Sequence, residues 1–245
     1  MTEQPMDVFA DKLDRLARLS VDDKAAIRSM PCQLKTLLPG IPLVVERNTP
    51  QSCALLLDGL AIRSKYSSDG ARQIVAIQLR GDALDLQHLY LEEADHSVEP
   101  VTPVLVAEVP RSAVRHVAEG HPNVMKAILI DNLIEASISR EWLLNVGRRS
   151  ARERVAHLIC EVATRLSETA IADKHGFHLP MTQDQLGDAT GLTPVHVNRM
   201  LRNLEAEGSI SRMRHQFRIE SWSRLTATAD FDPAYLHRDQ LRAIG

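Results

Sequence analysis

The chain is predicted to be an α+β protein: an N-terminal antiparallel β-barrel of jelly-roll type, then one long dimerisation helix, then a C-terminal winged helix-turn-helix. Three observations carry this. From about Gln33 to Pro110, the runs LVVE, SCALLL, LAIRSKY, RQIVAIQL and PVLVAEV alternate with the breakers Pro39-Gly40, Asn48-Thr49-Pro50, Asp58-Gly59 and Asp69-Gly70. Strands this short, with no helix between them, predict a barrel or sandwich of roughly eight strands. From His121-Pro122 to about Val146, neither Gly nor a further Pro interrupts an apolar-rich stretch. Finally, Thr182 to Leu204, TQDQLGDATGLTPVHVNRMLRNL, has the form of two short helices around a tight turn.

Taken in order, Val8, Leu13, Leu16 and Leu19 have helical spacing, and Ser20 can cap a second helix that opens with Asp22 and Asp23. After the β region, the apolar residues Ile128, Leu129, Ile130, Leu133, Ile134, Ile138, Trp142, Leu143 and Leu144 go more than halfway around one helix. Such a helix needs cover on two sides. The barrel is the expected cover for one side and a second copy of the chain for the other, with Ile130, Leu133, Ile134 and Ile138 in the dimer seam. Asn145-Val146-Gly147 is the expected hinge. Ser150 and Glu153 have capping-box spacing before SARERVAHLICEVATRL, whose Val155, Leu158, Ile159, Val162 and Leu166 share a face. A polar loop, Ser167 to Gly176, follows. Beyond Trp222 the pattern is weak and no role is assigned. The expected domains are therefore 1–120, a dimerisation helix and hinge at 121–147, a DNA-binding module at 148–222 and a tail at 223–245.

In the helix-turn-helix, Leu186 and Ala189 should face inward. Gly191 suits the left-handed residue that ends a helix. Thr193 is a good N-cap and Pro194 fits the first helical position. Val197, Leu201 and Leu204 then share one apolar face, leaving His196, Asn198, Arg199, Arg202 and Asn203 on the other. Arg and Asn have the geometry to grip base edges in a major groove, which makes Asn198 and Arg199 candidate readers. After Gly208, apolar Ile210, Met213, Phe217 and Ile219 are interleaved with Arg212, Arg214, His215 and Arg218, a basic hairpin fit to lie along phosphates as a wing. Thr182, Gln183, Thr193, His196, Arg202, Arg212 and Arg214 are the candidate phosphate contacts.

Net charge is −3 over 245 residues, too acidic for a protein that coats nucleic acid everywhere. Residues 1–120 hold 13 Lys and Arg against 17 Asp and Glu, whereas residues 145–224 hold 12 against 9. A basic distal module behind an acidic proximal one fits a localised double-stranded DNA footprint. Cys32, Cys53 and Cys160 are scattered and odd in number, which indicates neither a disulfide framework nor a thiolate metal site. No apolar run approaches the roughly 18 residues that span a bilayer, and the N-terminus lacks a signal pattern, so a cytoplasmic location without membrane contact is expected. No nucleophile–base pairing, Gly-rich phosphate loop or His-x-x-x-His spacing suggests an enzyme. The competing class is a sensor of haem or another small molecule whose helix-turn-helix contacts protein. Arg148, Arg149, Arg199, Arg202, Arg212 and Arg214 favour DNA, because a protein-binding face need not be strongly basic.

Three segments carry a resemblance: SARERVAHL at 150–158, LPMTQDQLG at 179–187 and GLTPVHVNRML at 191–201, with barrel turns at Asp58-Gly59 and Arg80-Gly81-Asp82. In this order they resemble the Crp/Fnr family of bacterial transcription regulators, over roughly residues 8–222. The resemblance implies a cyclic-nucleotide-binding-like barrel, a homodimer, an inverted-repeat operator and RNA polymerase as a partner. In nucleotide-binding members, a Gly-Glu-Leu segment and a later Arg-Ser or Arg-Thr pair hold the ribose and phosphate. Here these positions read Gly81-Asp82-Ala83-Leu84 and Asp95-His96-Ser97. The pocket of Asp82, His96 and Ser97 is thus degenerate: it lacks the forked cation a buried phosphate requires, which argues against cyclic AMP. Only Cys32 and Cys53 lie in the half where the oxygen-sensing branch binds an iron–sulfur cluster, which argues against that cofactor too. His88 and His96, lone histidines in barrel loops, are expected at the surface rather than on haem. No cofactor is expected and the effector is not identified. Where the best-known members place a Glu in the reading helix, this chain has Val195, which can pack on a thymine methyl but accepts no hydrogen bond from cytosine.

Overall fold

The computed structural model describes residues 4–166 and 176–238, so most of the expected polar loop after Leu166 lies outside the described residues. The chain forms two compact units, one built on Met1–Lys65 and Ala76–Ser137, the other on Tyr66–Val75 and Ile138–Leu236.

The first unit opens with α1 (Asp7–Leu16) and α2 (Val21–Arg28). Phe9, Leu13 and Leu16 follow the helical period and are buried. Ser20 caps α2 as expected: its hydroxyl accepts the Asp23 N–H at 3.1 Å, and the Asp23 carboxylate accepts the Ser20 N–H at 2.9 Å. A cap of this kind stabilises by about 1 kcal/mol.

Six strands follow: β1 (Gln33–Leu37), β2 (Ser52–Asp58), β3 (Ala61–Tyr66), β4 (Arg72–Gln78), β5 (Ser97–Pro100) and β6 (Val104–Pro110). They form two three-stranded sheets, ordered β1-β6-β2 and β4-β3-β5, antiparallel and not closed into a continuous barrel. The LVVE run is no strand of its own; Val44 meets Val98 in a single bridge, and Leu55 meets Ala83 likewise. Strand β2 shows why SCALLL is apolar throughout. Cys53, Leu55 and Leu57 face a core shared with the flanking helices, whereas Ala54 and Leu56 face the interior between the sheets. Successive strand residues point to opposite sides, so a strand covered on both faces reads as one apolar run.

Helix α3 (Arg111–Gly120), not separately anticipated, packs Val114, Val117 and Ala118 into the helical core. Helix α4 (Pro122–Arg148) is the long helix. It runs without a break through Asn145, Val146 and Gly147, the expected hinge, and ends at Arg148; the next helix is capped by Ser150. Asn145 is buried, with its amide donating to the Arg154 carbonyl at 3.4 Å. One Gly in a helix costs only about 1 kcal/mol, and the 27-residue helix continues through Gly147.

The seam candidates along α4 differ in their surroundings. Ile130 and Ile134 pack partly against the helical core, and Ile138 is half-buried. Of the four seam candidates only Leu133 is exposed, at 58%. The exposed residues instead include Leu129, Leu133, Ala136, Arg140, Leu143 and Gly147, spaced alternately by four and three.

In the second unit, α5 (Ala151–Leu166) starts at the expected Ser150–Glu153 box and buries Val155, Leu158, Ile159, Val162 and Leu166. Then come β7 (Phe177–His178), α6 (Gln183–Thr190), α7 (Pro194–Ala206), β8 (Ile210–Met213) and β9 (Gln216–Ile219). Of the expected tail, the part up to Leu236 is folded onto the unit. Helix α8 (Trp222–Ala229) packs on α5, and a 3-10 turn (Pro233–Leu236) places the Tyr235 hydroxyl 2.9 Å from the Glu161 carboxylate. Among the described residues, no helix is long and apolar enough to cross a membrane.

Candidate nucleic-acid interface

Helix α6 begins at a reciprocal box. The Thr182 hydroxyl accepts the Gln185 N–H at 3.1 Å, and the Gln185 side chain accepts the Thr182 N–H at 2.9 Å. The N–H groups of Thr182 and Gln185 are thereby taken, so an anion at this helix head would meet those of Gln183 and Asp184. Helix α6 ends at Gly191, with φ +66°. A Cβ at Gly187 would stand 2.5 Å from the Leu192 carbonyl oxygen, so this glycine lets the turn fold tightly against its own helix. Leu186 and Ala189 are buried as expected. Arg154 of α5 donates to the Thr190 carbonyl at 3.2 Å, closing the end of α6. The hairpin tip in this unit also holds α6: Arg72 bonds the Asp188 carboxylate at 2.8 Å and Gln73 its carbonyl at 2.6 Å.

Helix α7 starts at Thr193, whose hydroxyl accepts the His196 N–H and lies 3.0 Å from the His196 ring Nδ1. Val197, Leu201 and Leu204 are buried, and Met200, which the sequence pattern did not single out, joins them. The opposite face is open: Val195 is 78% exposed, and His196, Arg199, Arg202 and Asn203 are exposed with it. Arg199 and Arg202 project from α7 with no side-chain partner among the described residues. Asn198 sits at the edge of this face, half-buried on the side of the wing.

The wing is the expected hairpin of β8 and β9, widened by β7 into a sheet ordered β7-β9-β8. Phe177 pairs with Phe217, their rings 5.8 Å apart. Ile210 and Phe217 are buried, but Met213 is 78% exposed, so the apolar alternation fails at the tip. There Arg214 adopts φ +57°, a left-handed value that a two-residue hairpin turn demands. Arg214 and His215 are exposed. Between α6, α7 and the wing lies a groove of about 490 Å³ floored by Met181, Leu186, Leu201 and Phe217.

Two of the expected free cations are engaged within the chain. Arg149 is buried, 2.7 Å from the Glu141 carboxylate and 3.2 Å from the Asp230 carbonyl. Arg212 binds Glu205 through Nε at 3.1 Å and donates from Nη2 to the Asn198 side-chain oxygen at 3.3 Å. Arg148 remains exposed.

In the first unit, the three residues read as a degenerate effector pocket have different surroundings. Asp82 pairs with Lys12 at 3.0 Å, and Lys12 also pairs with Asp131 at 2.9 Å. Ser97 accepts the Glu46 N–H at 3.1 Å, and His96 lies 2.6 Å from Asp95. His88 and His96 are buried, not at the surface, with rings stacked at 6.2 Å. Burial lowers the pKa of both. Nearby Arg63 of β3 holds the Leu84 carbonyl at 2.8 Å and Glu135 at 3.2 Å. Among the described residues, no group of three or more His, Cys, Asp or Glu is placed to hold a metal ion.

The family model for the Crp-like helix-turn-helix domain matches residues 153–228. The transcriptional activatory protein AadR of Rhodopseudomonas palustris is 30% identical over 193 residues, 78% of this chain and 79% of that one. The nitrogen fixation regulation protein FixK of Azorhizobium caulinodans is 29% identical over 210 residues, 82% of each chain. Among solved structures, FixK2 from Bradyrhizobium japonicum superposes with a TM-score of 0.75 at 24% identity, covering 81% of this chain and 98% of that one, a likeness of fold.

Proposed function

Because this chain belongs to the Crp/Fnr family of transcription regulators, DNA-binding proteins rather than enzymes, we propose that it acts as a homodimer reading an inverted-repeat operator with α7. The observation that carries this is the division of α7. Val197, Met200, Leu201 and Leu204 are buried, while Val195 and Arg199 stand exposed with no side-chain partner among the described residues. In this reading Val195, Asn198 and Arg199 meet base edges. Thr182, Gln183, Thr193, His196, Arg202 and Arg214 meet phosphates.

Dimerisation is assigned to α4. Leu129, Leu133, Ala136, Arg140, Leu143 and Gly147 alternate by four and three, the period of a helix pair packed along its length. A two-fold axis along that stripe would set two copies of α7 about one DNA turn, roughly 34 Å, apart. Cyclic AMP is not the effector in this proposal, because the segment where a phosphate-binding Arg would be needed reads Asp95-His96-Ser97. Relatives named as activators support a contact with RNA polymerase.

The test is selection of bound fragments from a library of duplexes with randomised cores, using the full chain. An inverted repeat with half-sites one turn apart is the expected product. A single unrepeated half-site, or no enrichment, contradicts the proposal. Calorimetry with cyclic AMP should show no micromolar binding.

A further inference from the structure

Asn198 and Glu205 are seven residues apart on α7, two helical turns, and therefore lie on one side of it. Arg212 of β8 reaches across from the wing and holds both. Its Nε donates to Glu205 at 3.1 Å and its Nη2 to the Asn198 Oδ1 at 3.3 Å. The Arg212 side chain is only 18% exposed, against 57% for Arg218 on the neighbouring strand. A guanidinium has five N–H donors and no acceptor. Whichever end of the Asn198 amide faces it must therefore be the oxygen; the chemistry of the partner dictates this orientation.

We propose that Arg212 is a positioning residue for base reading and not a phosphate anchor: braced by Glu205, it fixes the Asn198 amide so that its NH₂ end is presented to the base edge. This rests on the reading of α7 as the recognition helix and adds the determinant of specificity at one base pair. An unbraced Asn can turn its amide over, offering acceptor or donor to the same atom, and so discriminates weakly. With Oδ1 held by Arg212, the outward group is a donor. It therefore prefers acceptors in the major groove: guanine O6 and N7, adenine N7 or thymine O4. The exocyclic amine of cytosine, a donor only, is disfavoured. Glu205 neutralises Arg212 at the same time, so this wing residue adds little to the pull on phosphates.

The experiment uses the full chain, the duplex selected from the randomised library and a panel carrying each alternative pair at every half-site position. Asn198→Ala first identifies the pair that Asn198 reads. At that pair and its symmetry mate, Arg212→Ala should reduce about tenfold discrimination to about twofold or less. Binding to a scrambled duplex should change less than about twofold, with the salt slope unaltered. Arg212→Lys is the decisive variant, since an ammonium keeps the charge but lacks the fork that spans Glu205 and Asn198. It should fail to restore discrimination. Equal losses on selected and scrambled duplexes with a slope lower by about one, and rescue by Arg212→Lys, would show a phosphate anchor and overturn the proposal. If Asn198→Ala erases no preference at any position, the reading of Asn198 itself is wrong, a result distinct from failure of the brace. Should Arg212→Ala not fold, Glu205→Ala, which removes the acceptor that Arg212 Nε uses, tests the same brace from its other end. Unchanged discrimination in a folded Glu205→Ala would also overturn it.

Discussion

Trp142, near the end of α4, donates its indole N–H to both carboxylate oxygens of Glu161 on α5, at 3.0 and 3.2 Å. Glu161 is fully buried and also receives Tyr235 at 2.9 Å and Arg165 at 3.4 Å. Burial pushes its carboxyl up and these partners pull it back. The junction of the two helices is thus bonded through one carboxylate to a segment that the sequence pattern left without a role.

Tyr235→Phe deletes one donor from that buried carboxylate while keeping the ring that stacks on His157 at 5.8 Å. Leaving a buried acceptor short of a partner costs about 1–3 kcal/mol. Urea unfolding followed by tryptophan fluorescence should show a loss of that size. A change under about 0.5 kcal/mol would mean that the turn lies against α5 without securing it.

Along α4, adjacent substitutions should separate assembly from folding. Leu133→Asp places a charge on the exposed stripe and should yield a folded monomer by light scattering, with weakened operator binding. Ile134→Asp instead puts the charge against the core and should lower stability by several kcal/mol. A dimeric Leu133→Asp variant at micromolar concentration would remove α4 as the seam.

Arg199 and Arg214 are both exposed, yet distinct effects are expected. Arg199→Ala should cost roughly 1–3 kcal/mol on the selected operator and relax preference at one symmetric base pair. Arg214→Ala should weaken all duplexes alike and lower the salt slope by about one. Titrations on operator and scrambled duplex at several salt concentrations decide. If Arg199→Ala lowers both affinities equally, Arg199 is no reader.

Asp85 gives a dependence on pH. It is buried beneath β2, with its carboxylate accepting the Ala54 N–H at 3.0 Å. Burial raises its pKa from 3.8 to about 7, the Ala54 N–H and Arg63 opposing the rise. The folded chain therefore holds a proton that the unfolded chain has released between about pH 4 and pH 7. That stabilisation is full below about pH 4 and is lost as pH rises through 7. Asp85→Asn keeps an acceptor for Ala54 without the charge. Its stability relative to wild type should be near zero at pH 4 and rise by on the order of 1–4 kcal/mol by pH 8. A difference that stays flat across this range would place the Asp85 pKa near its ordinary value.

Much of the DNA-facing module was legible because its signals are local. Caps, a left-handed Gly and a Pro at the first helical position act over one turn of chain, so Ser20, Ser150, Thr182, Gly191 and Thr193 have their expected places. The division of α7 follows from period alone. Local patterns fail where both faces of an element are apolar. In α4, counting apolar residues did not separate Ile134, against the core, from Leu133, in the open. The four-three spacing of the exposed stripe was present in the sequence, but its Ala136, Arg140 and Gly147 carry no strong hydrophobic signal to mark it.

What the sequence by itself determined was the order of elements, the helix boundaries set by caps and the apolar face of α7, because each depends on backbone preferences within a few residues. Only the tertiary structure decided which charges are free. Arg149, Arg199, Arg212 and Arg214 are alike as letters. The fold buries Arg149 against Glu141, braces Arg212 between Glu205 and Asn198, and leaves Arg199 and Arg214 exposed. The physical reason is that an ion pair depends on distance in space: folding brings Glu141 within 2.7 Å of Arg149 and Glu205 within 3.1 Å of Arg212, and among the described residues it places no carboxylate so near Arg199 or Arg214.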